Sequence, residues 1–135
     1  MRKLAALPDT NFILRYLLRD IEDQFREAET FFEDVRSGKT AALIAEFVLV
    51  ECLYILTKYY GVPRTAASSN LTALLQYKGV ANPDKAVLVK SLRLFAETPL
   101  DPVDCILAAQ SALAGHRVMT FDKELKRVIK QTAAS

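Results

Sequence analysis

The sequence predicts one α/β domain with a mostly parallel sheet, and three observations carry that expectation. Short apolar stretches, too brief for helices, alternate with longer segments whose apolar residues recur at helical spacing. No linker, internal repeat or low-complexity segment interrupts the alternation. At 135 residues the chain suits a single domain spanning 1–135, long enough to bury a core without staples. Strands that take turns with helices favour parallel pairing, because each crossover returns the chain to the same edge.

The elements follow in order. Residues 4–7 read as a short buried strand, which Pro8 ends because proline brings no ladder donor. Thr10 or Asn11 is placed to cap a helix over 12–19. Residues 22–36 carry Phe25, Ala28, Phe31, Phe32 and Val35 at helical spacing with charges between them, and Gly38 is the stop. A second strand is expected over 40–45, then a long apolar helix over 46–60 that Gly61 and Pro63 end. Residues 64–77 form another helix, with Leu71, Leu74 and Leu75 on one side, and 79–81 a brief strand. Asn82-Pro83 opens a helix over 84–97, and Asp101-Pro102 opens one over 103–114 that Gly115 closes. Residues 117–121 alternate and read as a last strand; 123–130 form a final helix, with frayed residues after it.

Composition excludes several classes of function. The net charge of +2 is too small for bulk attraction to nucleic acid, so any such contact needs a local patch. Cys52 and Cys105 lack metal-ligand spacing and suit small buried hydrophobes in a reducing compartment. The apolar run behind the basic start ends at Pro8, too soon for a signal peptide, and the longest apolar stretch, 47–56, is broken by Glu51. A soluble, cytoplasmic protein is expected.

Four acids hold the chemical interest. Asp9, Asp104 and Asp122 each precede or open a helix, where an aspartate caps N–H groups and meets the positive end of the helix dipole. The same places lie outside the carboxyl ends of strands, where open α/β sheets gather their ligands. Asp101 competes with Asp104, since Asp101-Pro102-Val103-Asp104 accounts for both as a helix start. Glu51 differs. Its helical neighbours Phe47, Val48, Tyr54 and Ile55 offer no cation, so a position at least partly buried is expected, calling for a cation, a donor from elsewhere or a window to water. Carboxylates brought together repel unless a divalent ion sits among them, and hard oxygen donors without a Cys/His cluster suit Mg²⁺ or Mn²⁺.

At this point the chain resembles the PIN-domain family, and within it the small VapC-type toxin ribonucleases. The resemblance rests on Leu7-Pro8-Asp9-Thr10-Asn11-Phe12-Ile13-Leu14, then Val50-Glu51-Cys52-Leu53-Tyr54-Ile55-Leu56 followed by Tyr60-Gly61-Val62. It continues through Asp104-Cys105-Ile106-Leu107-Ala108-Ala109 to Thr120-Phe121-Asp122-Lys123-Glu124-Leu125. It implies a three-layer α/β/α sandwich around a short, mostly parallel sheet and metal-dependent cleavage of RNA. Asp9, Glu51, Asp104 and Asp122 are then metal ligands, with Asn11 and Thr120 as polar support. It also implies a homodimer neutralised by a small antitoxin in the active-site groove. Pro8, where the family usually has an aliphatic residue, and the extra acid Asp101 depart from the pattern.

Substrate must reach an acidic centre, so positive charge should rim it. Lys123, Lys126, Arg127 and Lys130 share a face of the last helix; a merely solvated face is the commoner meaning, and Lys123 and Arg127 are the phosphate-contact candidates. Tyr16, Tyr59, Tyr60 and Tyr77 are the aromatics weighed for base stacking. The lone His116 leaves a two-histidine mechanism without its second member. Two rivals stand beside the nuclease: a catalytically silent PIN-fold module that binds RNA or protein, and a Mg²⁺-binding phosphoacceptor domain, in which Glu51 on a helix has no place.

Overall fold

Helices dominate a computed structural model that describes residues 4–134. Asp9, in extended conformation, accepts the Phe12 N–H at 2.9 Å and starts α1 (Thr10–Leu18), so the cap is Asp9 rather than Thr10 or Asn11. α2 (Glu22–Ser37) ends on Gly38 at φ 86°, the left-handed value that glycine adopts without steric cost. α3 (Glu46–Tyr54) passes into a π-helical turn, Ile55–Tyr59, where the Tyr60 N–H reaches the Ile55 carbonyl. α4 (Arg64–Leu75), α5 (Lys85–Glu97) and α6 (Pro102–Ala114) follow, each lying against the next. α7 (Lys123–Ala134) packs on α6 and continues through the residues expected to fray.

The expected three-layer sandwich is absent from the described residues, which hold two isolated parallel bridges, Ala6 to Ala42 and Ala42 to Val80, and no sheet. Each bridge is one residue long. Ala42 donates to the Gly79 carbonyl and accepts from the Ala81 N–H, both at 2.9 Å. On its other side Ala6 pairs with the carbonyl of Ala41 and the N–H of Leu43. One residue farther on, a side chain takes the place of a neighbouring strand. The Asn82 amide accepts the Ile44 N–H and donates to the Ile44 carbonyl, both at 2.8 Å. Pro8 removes a donor at the end of the first stretch. Residues 117–121 pair with nothing as a ladder; Met119 and Phe121 face solvent. Leu4 and Leu7, expected to be buried, are also exposed.

With so little sheet, the core is made by helices against helices. Ile13 and Leu14 of α1 and Phe32 and Val35 of α2 are fully buried, joined by Leu49 and Cys52 of α3 and by Leu71, Leu88, Leu92 and Phe95 from α4 and α5. Phe12, Phe31 and Phe32 form edge-on and tilted ring contacts that lock α1 to α2. Gly79 allows the close approach of the last bridge: a Cβ there would lie 2.1 Å from the Thr40 carbonyl oxygen and 2.7 Å from that of Val35. No described helix is long and apolar enough to cross a membrane.

Candidate active site

Asp9 and Glu51 come from different helices and line one cavity of about 410 Å³, together with Thr10, Asn11, Phe47 and Val48. Capping occupies Asp9 Oδ1, while the exposed carboxylate keeps Oδ2 for another partner. Glu51 is exposed, against the expectation of a partly buried carboxylate. The reason lies in the rotation of α3. Leu49, Cys52 and Leu53 turn to the core, which leaves Phe47 and Glu51 on the open strip. Glu51 therefore meets water, the window that an acid on so apolar a helix called for. The buried Cys52 thiol behind the cavity is pushed up to about 12, by burial first and then by the charges of Glu51 and Asp9. Both acids therefore act on one point.

Asp101, Asp104 and Asp122 gather at a second place. Asp101 is the N-cap of α6, accepting the Asp104 N–H at 2.9 Å, with Pro102 as the first helical residue. This settles Asp101 as a cap and leaves the Asp104 carboxylate free of that duty. Burial raises the Asp104 pKa above the ordinary aspartyl value, and the charges of Asp101 and then Asp122 raise it further. Asp122 accepts the Leu125 N–H at 2.8 Å at the start of α7, and its own N–H donates to Thr120 Oγ1 at 3.0 Å. Thr120 thus fixes the backbone that aims Asp122. α3, which carries Glu51, lies against both α1 and α6.

Tyr54, which the sequence marks only as a helical neighbour of Glu51, lies near Asp101 and Asp104. Burial raises its hydroxyl pKa first, then the charges of Asp101 and Asp104. It stands three residues after Glu51 on α3, so the helical repeat alone carried the signal. On α7, Lys123 is exposed beside Asp122, whereas Arg127 is held by an ion pair to Glu124. His116 is an exposed loop residue.

The site residues thus form two acidic groups: Asp9 with Glu51 and Asn11, and Asp104 with Asp122 and Asp101. Among the described residues no three Asp, Glu, His or Cys side chains stand close enough to hold an ion together. The donor set still fits Mg²⁺, which keeps several waters and takes one or two carboxylates with substrate phosphates rather than a full protein cage.

The burial of Asp104, with the charges of Asp101 and Asp122 beside it, predicts a pH dependence in the ion-free protein. Folded Asp104 holds its proton to higher pH than the unfolded chain does, so its contribution to stability falls as pH rises from 3.8 through the raised value. Asp104→Asn removes the penalty. Urea midpoints measured across roughly pH 3 to 7 should show the parent falling relative to the variant as pH rises. Midpoints that stay parallel would show Asp104 to be unperturbed.

Comparison with protein families gives one match: the PIN domain, over residues 6–131, a stretch that takes in all five acids of the two groups. Comparison with curated proteins and with solved structures gives no match.

Proposed function

Because the chain belongs to the PIN-domain family, whose members are generally nucleases acting on nucleic acid, we propose that it is a Mg²⁺- or Mn²⁺-dependent endoribonuclease, the toxin of a toxin–antitoxin pair. The observation that carries this reading is the cavity shared by Asp9, Asn11 and Glu51, which presents two solvated carboxylates and an amide, with no lysine or arginine among its described lining residues.

A divalent ion bound there supplies Lewis-acid stabilisation of phosphate charge and a more acidic water. The chain's own groups do the rest. Asp9, anchored through Oδ1 to α1, offers Oδ2 in a fixed direction. Glu51 lies one helical turn from Phe47 and faces the same space. Asn11 is placed to orient an attacking water by its amide. Glu51, on the wall of the same cavity, is the acceptor when that water loses its proton. Asp122, set by Thr120, completes the second acidic group, and Lys123 beside it meets the incoming backbone. In this reading the physiological form is a homodimer, and a small antitoxin protein silences it by covering the groove.

Incubation of the purified protein with structured RNA, with Mn²⁺ added and then chelated, tests the reading. Cleavage that appears with the ion and stops with the chelator is expected. A second reading, a PIN-fold module that binds RNA without cutting it, draws on the separation of the acids into two groups. It predicts retained RNA binding with no cleavage in any divalent ion.

A further inference from the structure

Phe47 is 77% exposed on a helix whose other large apolar residues, Leu49 and Leu53, are buried. Its ring stands one turn before Glu51 and shares the cavity wall with Asp9 and Asn11. A second aromatic near Asp9, Phe12, is already packed against Phe31 and Phe32. Tyr59 and Tyr60 meet edge to face with centroids 4.9 Å apart, and neither lines this cavity, nor does the fully exposed Phe121. Phe47 is therefore the aromatic ring left open beside the two carboxylates.

We propose that Phe47 is the platform on which one unpaired base stacks while the neighbouring phosphate lies at Asp9 and Glu51. This rests on the ribonuclease reading above and adds to it a residue that grips the substrate by a base face. The chemistry suits the wall. Every nucleobase presents a π-face, and stacking on an aromatic side chain needs no hydrogen-bonding partner, of which Phe47 has none to give. Paired bases have both faces covered by their neighbours in the duplex, so the platform selects nucleotides that are unpaired at the cut. The charge pattern agrees: the carboxylates of this cavity repel the backbone unless an ion intervenes, so a neutral contact on its wall adds affinity that they cannot.

The chain contains no tryptophan, so Phe47→Trp creates a single fluorescent reporter at the platform. Placed in an Asp9→Asn background to prevent cutting, its emission is expected to be quenched by an unpaired oligoribonucleotide and not by a blunt duplex of equal length. In the same background Phe47→Ala should weaken binding of the unpaired strand by roughly 5- to 150-fold, the range alanine substitution gives for one stacked base. Phe47→Tyr should restore it, and Leu113→Ala, an exposed apolar side chain on α6, should leave it unchanged. Phe47→Ala binding RNA as tightly as its parent overturns the proposal. So does a Phe47→Ala protein whose only change is a smaller sedimenting mass, which would make this face a contact between copies. A parent protein that binds no RNA at all defeats the ribonuclease reading itself, a different result from a binding parent indifferent to Phe47.

Discussion

Asp9→Asn should lower cleavage about 10³-fold and leave stability where it was. Asparagine caps a helix as well as aspartate does, so the bond from the Phe12 N–H survives the change. What goes is the negative charge at Oδ2, which the proposed reading assigns to the ion. Loss of one preorganised electrostatic contact typically costs about 10² to 10³ in rate, and a direct ion ligand belongs at the upper end, about 4 kcal/mol of transition-state stabilisation. The measurement is kcat/KM with saturating Mn²⁺ beside a urea midpoint on the same preparation. Asp9→Ala is the poorer test, because it also removes the cap, worth about 1 kcal/mol. Glu51→Gln separates the site from the cap altogether, since Glu51 caps nothing and is solvated already. Its cleavage should fall with an unchanged midpoint. Undiminished cleavage by both variants would remove the shared cavity from the mechanism.

The helices were legible in the sequence because each carries its own punctuation. Gly38 and Gly115 stop α2 and α6 in the left-handed conformation, and Asp101-Pro102 starts α6 as its cap and first residue. Strands carry no such mark of their partner. The alternation over 117–121 names two faces and no neighbour, and in the structure the stretch has none as a ladder. Residues 4–7, 40–45 and 79–81 lie where the alternation put them, yet each pairs through one residue, because Pro8 and the Asn82 amide take positions that a ladder would need. Glu51 shows the same boundary within a helix. The composition of α3 marks its acid as unusual but does not say which strip meets water, and only packing against α1 and α6 fixes that. Tyr54 was within reach of the helical repeat, whereas the gathering of Asp104 with Asp122 depended on how α7 sits on α6.

Arg64→Ala should cost more stability than any surface change, because one guanidinium holds together the turn between α5 and α6. Arg64 begins α4, and its Nε donates to the Phe95 carbonyl at 3.0 Å. Its Nη2 donates to the carbonyl of Thr98 at 2.9 Å and to that of Leu100. The same guanidinium lies 3.6 Å over the Phe95 ring. Burial pushes its pKa down, which means that the surrounding carbonyls must compensate for lost water. Removal leaves those carbonyls short of a donor at a helix C-terminus and uncovers the ring, a loss of about 3 kcal/mol after allowance for partial exposure. A fall in the urea midpoint at unchanged slope measures it. Lysine should recover only part, since a point charge on a flexible stem cannot satisfy three diverging carbonyls. The consequence reaches the site. Leu100 directly precedes Asp101, and Asp101 sets the first turn of α6 from which Asp104 projects. Arg64→Lys, assayed where it remains folded, should therefore lose cleavage rate beyond what its unfolded fraction explains. Activity that tracks the folded fraction alone would confine Arg64 to stability.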